Sequence, residues 1–229
     1  MVEIVLASRN KKKISELQKL LDENLAGKVK ILSLSDIGYE GEIDEFGDSF
    51  EVNSLIKAAV PARLGYIGVA DDSGLCVDAL GGAPGIYSAR YSEDDGPADD
   101  RDAANRRKLV RELDGVCGED RCGGFVCVAS LVLPENSCFK IPAEYGATAE
   151  NSTAAMLGTL QGATVRGECR GYILKEESGD GGFGYDSLFY SPEISKSFAE
   201  ASGGEKNSVS HRGRVMKEFC RLITNIINK

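Results

Sequence analysis

The chain has 229 residues, with 27 Lys plus Arg against 36 Asp plus Glu, a net charge of −9 at neutral pH. Hydrophobic residues make up 42% and charged residues 28%, the balance of an ordinary globular chain long enough to bury a sizeable core without staples. The acidic excess argues against a broad polyanion-binding surface, and so against a nucleic-acid partner, but leaves room for a small anionic substrate in a locally basic pocket.

Val2–Ala7 is a short apolar, β-rich run, followed by Ser8-Arg9-Asn10 and then by Ile14, Leu17, Leu20 and Leu21 at helical spacing. Val29–Leu34 returns to a strand, so the chain opens with a βαβ unit and a parallel pairing. Ser49 can cap a second helix running to about Val60, where Pro61 is expected to end or kink it. Tyr66–Ala70 is the next strand and runs into Asp71-Asp72-Ser73-Gly74, two adjacent carboxylates expected at a strand end. A turn cluster at Gly81–Gly85 and an acidic loop at Ser92–Asp102 precede a helix over Ala103–Leu113. Cys122–Leu133 is a long strand, and Phe139–Tyr145 and Thr164–Leu174 are expected to be further strands. Between those two, Ala147–Gly162 reads as an insertion. A glycine-rich loop spans Ser178–Gly184, and Ser210–Ile227 closes the chain as a helix with Val215, Phe219, Leu222, Ile223 and Ile226 along one face. The pattern as a whole is mixed α/β.

The seven cysteines contain no CxxC pair and their number is odd, which fits free thiols in a reducing compartment. His211 is the only histidine, so a metal would be held by carboxylates, which favours Mg²⁺ or Mn²⁺. The N-terminus lacks a basic n-region, and the longest apolar run, Phe125–Leu133, falls short of the ~20 residues that span a bilayer. These features predict a cytoplasmic protein with no membrane contact.

Several segments carry residue types suited to phosphate chemistry. Ser8, Asn10 and Lys13 flank a helix N-terminus, where free N–H groups and the dipole favour an anion, although the same residues also make an ordinary capped helix. Asp71 and Asp72 should point to opposite faces of a strand, so one can be structural while the other holds a metal or activates water. Asp44 and Glu45 lie in an acidic loop before the second helix, and Asn53 and Lys57 share a face of that helix. In Gly181-Gly182-Phe183-Gly184-Tyr185-Asp186 a ring can stack on a base while Asp186 accepts from a ring N–H. Lys206, His211 and Arg212 cluster around the start of the last helix, where Ser210 is the expected cap. There is no P-loop, no GxGxxG dinucleotide fingerprint and no GxSxG elbow.

The order of these segments is more specific than any one of them. Ser8-x-Asn10-x-x-Lys13, Ser49-Phe50-x-x-Asn53-x-x-x-Lys57, Ala70-Asp71-Asp72-Ser73-Gly74-Leu75, Leu80-Gly81-Gly82-x-Pro84-Gly85-x-Tyr87-Ser88-Ala89-Arg90-Tyr91, Phe183-Gly184-Tyr185-Asp186 and Ser210-His211-Arg212-Gly213 occur together. The chain resembles the inosine triphosphate pyrophosphatase family, also called Ham1-like, over nearly its whole length. The resemblance implies a single α/β domain over residues 1–229, elongated, with a long mixed central sheet flanked by helices. It further implies two lobes with an active-site cleft between them, and a homodimer. It implies Mg²⁺-dependent cleavage of ITP, dITP and XTP between the α and β phosphates, which gives the monophosphate and pyrophosphate and clears deaminated purines from the nucleotide pool.

Carried onto this sequence, the resemblance gives Ser8, Asn10 and Lys13 to the triphosphate and puts Asn53 and Lys57 in the same site. It makes Asp72 the general base and a metal ligand, supported by Asp71, with Asp44 or Glu45 as the second metal ligand. Ser73 would contact substrate. Phe183, Gly184, Tyr185 and Asp186 would hold the base, completed by Lys206, His211 and Arg212. Arg212 can only donate, which suits a 6-keto oxygen and opposes an adenine 6-amino group. Val52 departs from the family, where many members have Glu, as do Pro61, Arg9 and the Ala147–Gly162 insertion. The competing readings are a Maf-like pyrophosphatase acting on modified or pyrimidine nucleotides, and a catalytically silent nucleotide-binding module.

Overall fold

The first strand, β1 (Val2–Leu6), pairs in parallel with β2 (Val29–Ser33) on one side and β3 (Ile67–Val77) on the other in the computed structural model, which describes residues 1–145 and 157–228. The opening βαβ unit is therefore as the apolar spacing predicts, with α1 (Lys11–Leu25) burying Leu17, Leu21 and Leu25. The described strands form a seven-stranded sheet in the order β2-β1-β3-β4-β5-β6-β7. Here β4 is Cys122–Leu133, β5 Gln161–Ile173, β6 Phe189–Ser191 and β7 Lys196–Ser197. The β5–β6 and β6–β7 pairs are antiparallel, so the sheet is mixed. The further α-helices among the described residues are α2 (Phe50–Arg63), α3 (Arg101–Glu112), α4 (Gly203–Val209) and α5 (His211–Ile227), beside six short 3₁₀ helices. None of the described helices is long and apolar enough to cross a membrane.

The chain divides into two compact units, and β3, β4 and β5 each contribute residues to both. The first comprises Met1–Asp72, Val128–Arg166 and Val215–Lys229. Its core includes Val5, Leu32 and Leu34, and a second cluster where Leu55, Ala58, Ala59 and Ala62 of α2 meet Ala70 and Val132. The second comprises Ser73–Cys127 and Gly167–Arg214. Its core gathers Leu75, Leu109, Phe125, Cys169, Phe189 and Phe198, and Phe125 meets Phe189 edge-on with ring centroids 4.8 Å apart.

Five local expectations change. Asp71 and Asp72 do not end their strand: β1 leaves the ladder after Leu6, but β4 flanks β3 on its other side, and β3 stays extended to Val77. Pro61 does not end α2, which runs to Arg63, because a proline in the last turn removes only one helix bond. The Pro61 carbonyl then accepts the N–H groups of Leu64 and Tyr66, both at 3.1 Å. Phe139–Tyr145 forms no strand; Pro142 has no N–H for a ladder, and Ala143–Tyr145 is a 3₁₀ turn in which Tyr145 N–H donates to the Pro142 carbonyl at 2.9 Å. The acidic loop ends two residues early, since the Asp100 side chain accepts from Ala103 N–H at 2.9 Å and caps α3. The helix α4 falls where no element is expected, and Ser202 and Glu205 form a full capping box at its start. Of the Ala147–Gly162 insertion, residues 147–156 lie outside the described residues.

Gly68 explains how α2 sits so close to β3. A Cβ at Gly68 would fall 1.9 Å from the Ala58 carbonyl oxygen and 2.8 Å from Pro61 Cγ. The backbone oxygen cannot swing aside as a long side chain can. Gly68→Ala is expected to lower unfolding free energy by about 1–3 kcal/mol, the usual cost of overpacking. Urea denaturation of the variant checks this, and an unchanged midpoint would contradict the contact.

Candidate active site

Consecutive residues of β3 face opposite ways, so the Asp71 and Asp72 side chains leave the strand in different directions. Each meets a lysine from a different helix. Lys13 of α1 donates to both carboxylate oxygens of Asp71, at 2.9 and 2.7 Å, and the Asp71 side chain is only 4% exposed. Lys57 of α2 donates to Asp72 Oδ1 at 2.8 Å and lies 3.3 Å from Glu45 Oε2. Burial pushes the Asp72 carboxyl above the usual carboxylate range; Lys57 opposes that shift and the hydrogen-bonded Glu45 adds to it. Burial alone would lower the Lys57 pKa, but the carboxylates of Asp72, Glu45 and Asp71 outweigh it and hold the ammonium above its ordinary value.

The acid that reaches Asp72 is thus Glu45, while Asp44 is exposed. The loop that carries them is tied down at both ends. Arg9 donates to the Gly41 carbonyl at 2.8 Å, and the fully buried Asn53 accepts from Gly47 N–H at 2.8 Å. Asn53 therefore shapes the acidic loop, a role its helical spacing from Lys57 did not reveal. Glu45 and Asp72 form a paired oxygen-donor set, and Mg²⁺ takes one or two carboxylates together with phosphate oxygens. The residues fit that ion, and Mn²⁺ by the same chemistry.

At the start of α1, Asn10 Oδ1 accepts from the N–H groups of Lys12 and Lys13 at 2.9 and 3.4 Å, and Ser8 Oγ accepts from Asn10 N–H at 3.1 Å. Both side chains cap the turn that delivers Lys13 to Asp71. The support expected of Asp71 is directed at Lys13. Ser73 is exposed on β3.

The remaining candidates belong to the second unit. Phe183 is 76% exposed at the tip of the glycine-rich loop, with Lys206 Nζ 4.7 Å from its ring centroid. Asp186 is 4% exposed; it accepts from Phe183 N–H at 2.9 Å and pairs with Lys206. Gly182 has φ +76° and a Cβ there would lie 2.2 Å from Asp186 Oδ2, so only glycine permits this loop. Tyr185 is 4% exposed and donates from its hydroxyl to the Ser88 carbonyl at 2.8 Å, which makes it a core anchor. His211 stacks on Phe125 with centroids 4.9 Å apart. Ser210 Oγ accepts from Gly213 N–H at 3.1 Å, the expected cap, and Arg212 is partly buried in the first turn of α5. Phe183, Gly184 and Asp186 share the wall of a cavity of about 380 Å³, within the size range of small-ligand sites, with Asp102 and Arg106 of α3. Those two residues belong to none of the sequence motifs, although their i, i+4 spacing puts them on one helix face.

The Lys13–Asp71 pair sets a stability expectation. Lys13→Met leaves a buried carboxylate without its ammonium, at a cost of about 1–3 kcal/mol, whereas Lys12→Met, on an exposed side chain, should cost under about 0.5 kcal/mol. Equal denaturation midpoints for the two variants would contradict the assignment.

A sequence profile of the Ham1 family matches residues 4–222. A dITP/XTP pyrophosphatase of Bacillus licheniformis is 38% identical over 224 residues, covering 97% of this chain and 98% of that protein. The solved structure of a HAM1 protein from Coxiella burnetii superposes with a TM-score of 0.80 at 33% identity, covering 98% of this chain and all of that one. A nucleoside-triphosphatase, or dITP/XTP pyrophosphatase, from Mycobacterium abscessus gives 0.72 at 36% identity, covering 95% of this chain and 98% of its own. With its mixed α/β sheet and a family match spanning nearly all of its length, the chain belongs to the Ham1 family.

Proposed function

We propose that this protein is a nucleoside triphosphate pyrophosphatase that hydrolyses the deaminated purine nucleotides ITP, dITP and XTP between the α and β phosphates. The observation that carries the reading is the Glu45–Lys57–Asp72 arrangement: two carboxylates and an ammonium, half withdrawn from water, in a Ham1-family chain. Asp72 accepts a proton from the water that attacks the α-phosphorus. A carboxyl whose pKa is raised above its usual range is a better base than an ordinary one. Lys13 and Lys57 bring positive charge to the phosphates, where it offsets charge building on the pyrophosphate leaving group. Ser8 and Asn10 hold the turn that presents Lys13. Mg²⁺ held by Asp72 and Glu45 would supply charge neutralisation and orientation of the triphosphate.

Phe183 offers its exposed face to the purine, and Arg212 donates to a 6-keto oxygen, which an adenine 6-amino group cannot accept. Lys206, Gly184, Tyr185, Asp186 and His211 give this loop and helix their shape. Guanine also carries a 6-keto group, so its rejection uses the 2-position. The reading also takes the enzyme to be a cytoplasmic homodimer; seven cysteines with no disulfide among the described residues suit a reducing compartment, and the dimer follows from the family resemblance.

The test is a hydrolysis panel of dITP, XTP, ITP, GTP, ATP and dUTP with Mg²⁺, with products identified. Pyrophosphate and monophosphate from the first three are expected; orthophosphate as primary product would overturn the reaction class, and preference for dUTP would favour the Maf-like reading. Asp72→Asn should lower kcat by roughly 10²–10⁴-fold with nucleotide binding retained. Glu45→Gln should raise the Mg²⁺ concentration for half-maximal rate about tenfold, ~1.4 kcal/mol, and Asp44→Asn should not. Equal effects of the two would contradict the choice of Glu45.

A further inference from the structure

A loop that reads a base through an exposed aromatic ring must keep the ring's backbone in one place, or binding has to pay for ordering it. Residues on both sides of Phe183 are held: on the N-terminal side, Gly181 N–H donates to the Ala199 carbonyl at 3.1 Å. On the C-terminal side, Asp186 accepts the Phe183 N–H and Tyr185 is anchored to the Ser88 carbonyl. The peptide groups of Gly184 are held from outside the loop. Asp102 Oδ2 accepts from Gly184 N–H at 2.9 Å, and Arg106 Nη1 donates to the Gly184 carbonyl at 2.9 Å. The two side chains stand one turn apart on α3 and grip the donor and acceptor of one glycine.

The grip is itself braced. Arg106 Nε lies 2.9 Å from Glu177 Oε2, and the same oxygen accepts from the Ser187 hydroxyl at 2.7 Å. The helix α3 is fixed beneath them: Leu109 is fully buried, and Asn105, 2% exposed, donates to the carbonyls of Ser88 at 3.2 Å and Ala89 at 3.1 Å. No such elaborate grip is needed to close a surface turn, and charge-assisted bonds to both sides of one residue are strong ones.

We propose that Asp102 and Arg106 are positioning residues for base recognition, acting on substrate through Gly184 by fixing where the Phe183 ring stands. The inference rests on the reading of Phe183 as the base-stacking residue. Neither side chain needs to touch nucleotide, so their loss should be felt in binding of the base and not in the phosphate chemistry.

The experiment compares Asp102→Ala, Asp102→Asn, Arg106→Gln and Phe183→Ala in the full chain, using dITP as substrate and inorganic pyrophosphate as a competitive inhibitor that has no base. Asp102→Ala should raise KM for dITP about tenfold, the loss of one charge-assisted bond, with kcat within about twofold. The Ki for pyrophosphate should not change, and amide exchange across residues 181–187 should quicken without nucleotide. Asp102→Asn, which keeps an acceptor oxygen, should restore KM and exchange, and Arg106→Gln tests the same grip from the carbonyl side should Asp102→Ala fail to fold. Unchanged KM in Asp102→Ala and Arg106→Gln, with KM raised in Phe183→Ala, would overturn the positioning role alone. Unchanged KM in Phe183→Ala would overturn the base-stacking reading and this inference with it. A pyrophosphate Ki that rises in step with KM would also overturn it, since the effect would then not pass through the base.

Discussion

Two carboxylates on consecutive residues of a buried strand must each find a cation, and Asp71 and Asp72 find theirs on different helices. An unpaired buried charge costs several kcal/mol, so this requirement constrains everything around it. It fixes the start of α1, whose Asn10 cap delivers Lys13. It fixes the approach of α2 to β3, close enough that residue 68 has to lack a side chain, and so delivers Lys57. Lys57 in turn draws Glu45 in from the acidic loop, and Arg9 and Asn53 keep that loop in place.

A net charge of −9 says little about such a site. The acids at this site are those paired with Lys13 and Lys57. In the proposed reaction Lys13 and Lys57 bring positive charge to the phosphates, and Asp72 and Glu45 would hold the cation that accompanies the nucleotide. The acidic balance therefore argues only against a broad polyanionic partner, since the charge that acts on a small ligand is local.

The elements with strong periodicity were legible: β1, α1, β2 and the long β4 stand within a residue or so of where apolar spacing puts them. What failed were boundaries set by partners that a local window cannot see. The Asp71–Gly74 segment has turn composition, yet β4 keeps it extended. Pro61 is a breaker in general and harmless in a last turn. At the site, the residue types were legible and several roles were not. Tyr185 and His211 have the chemistry of base readers, and the sequence does not show that they also contact Ser88 and Phe125. The choice between Asp44 and Glu45 depends on loop geometry, and the contribution of Asp102 and Arg106 depends on a tertiary contact to Gly184, some eighty residues on.

The central claim is that water attacks the α-phosphorus of the nucleotide. Single-turnover hydrolysis of dITP in ¹⁸O-water, with the products separated and weighed by mass spectrometry, tests it most directly. The account predicts one ¹⁸O in the deoxyinosine monophosphate and none in the pyrophosphate. Label in the pyrophosphate would mean attack at the β-phosphorus and would contradict it.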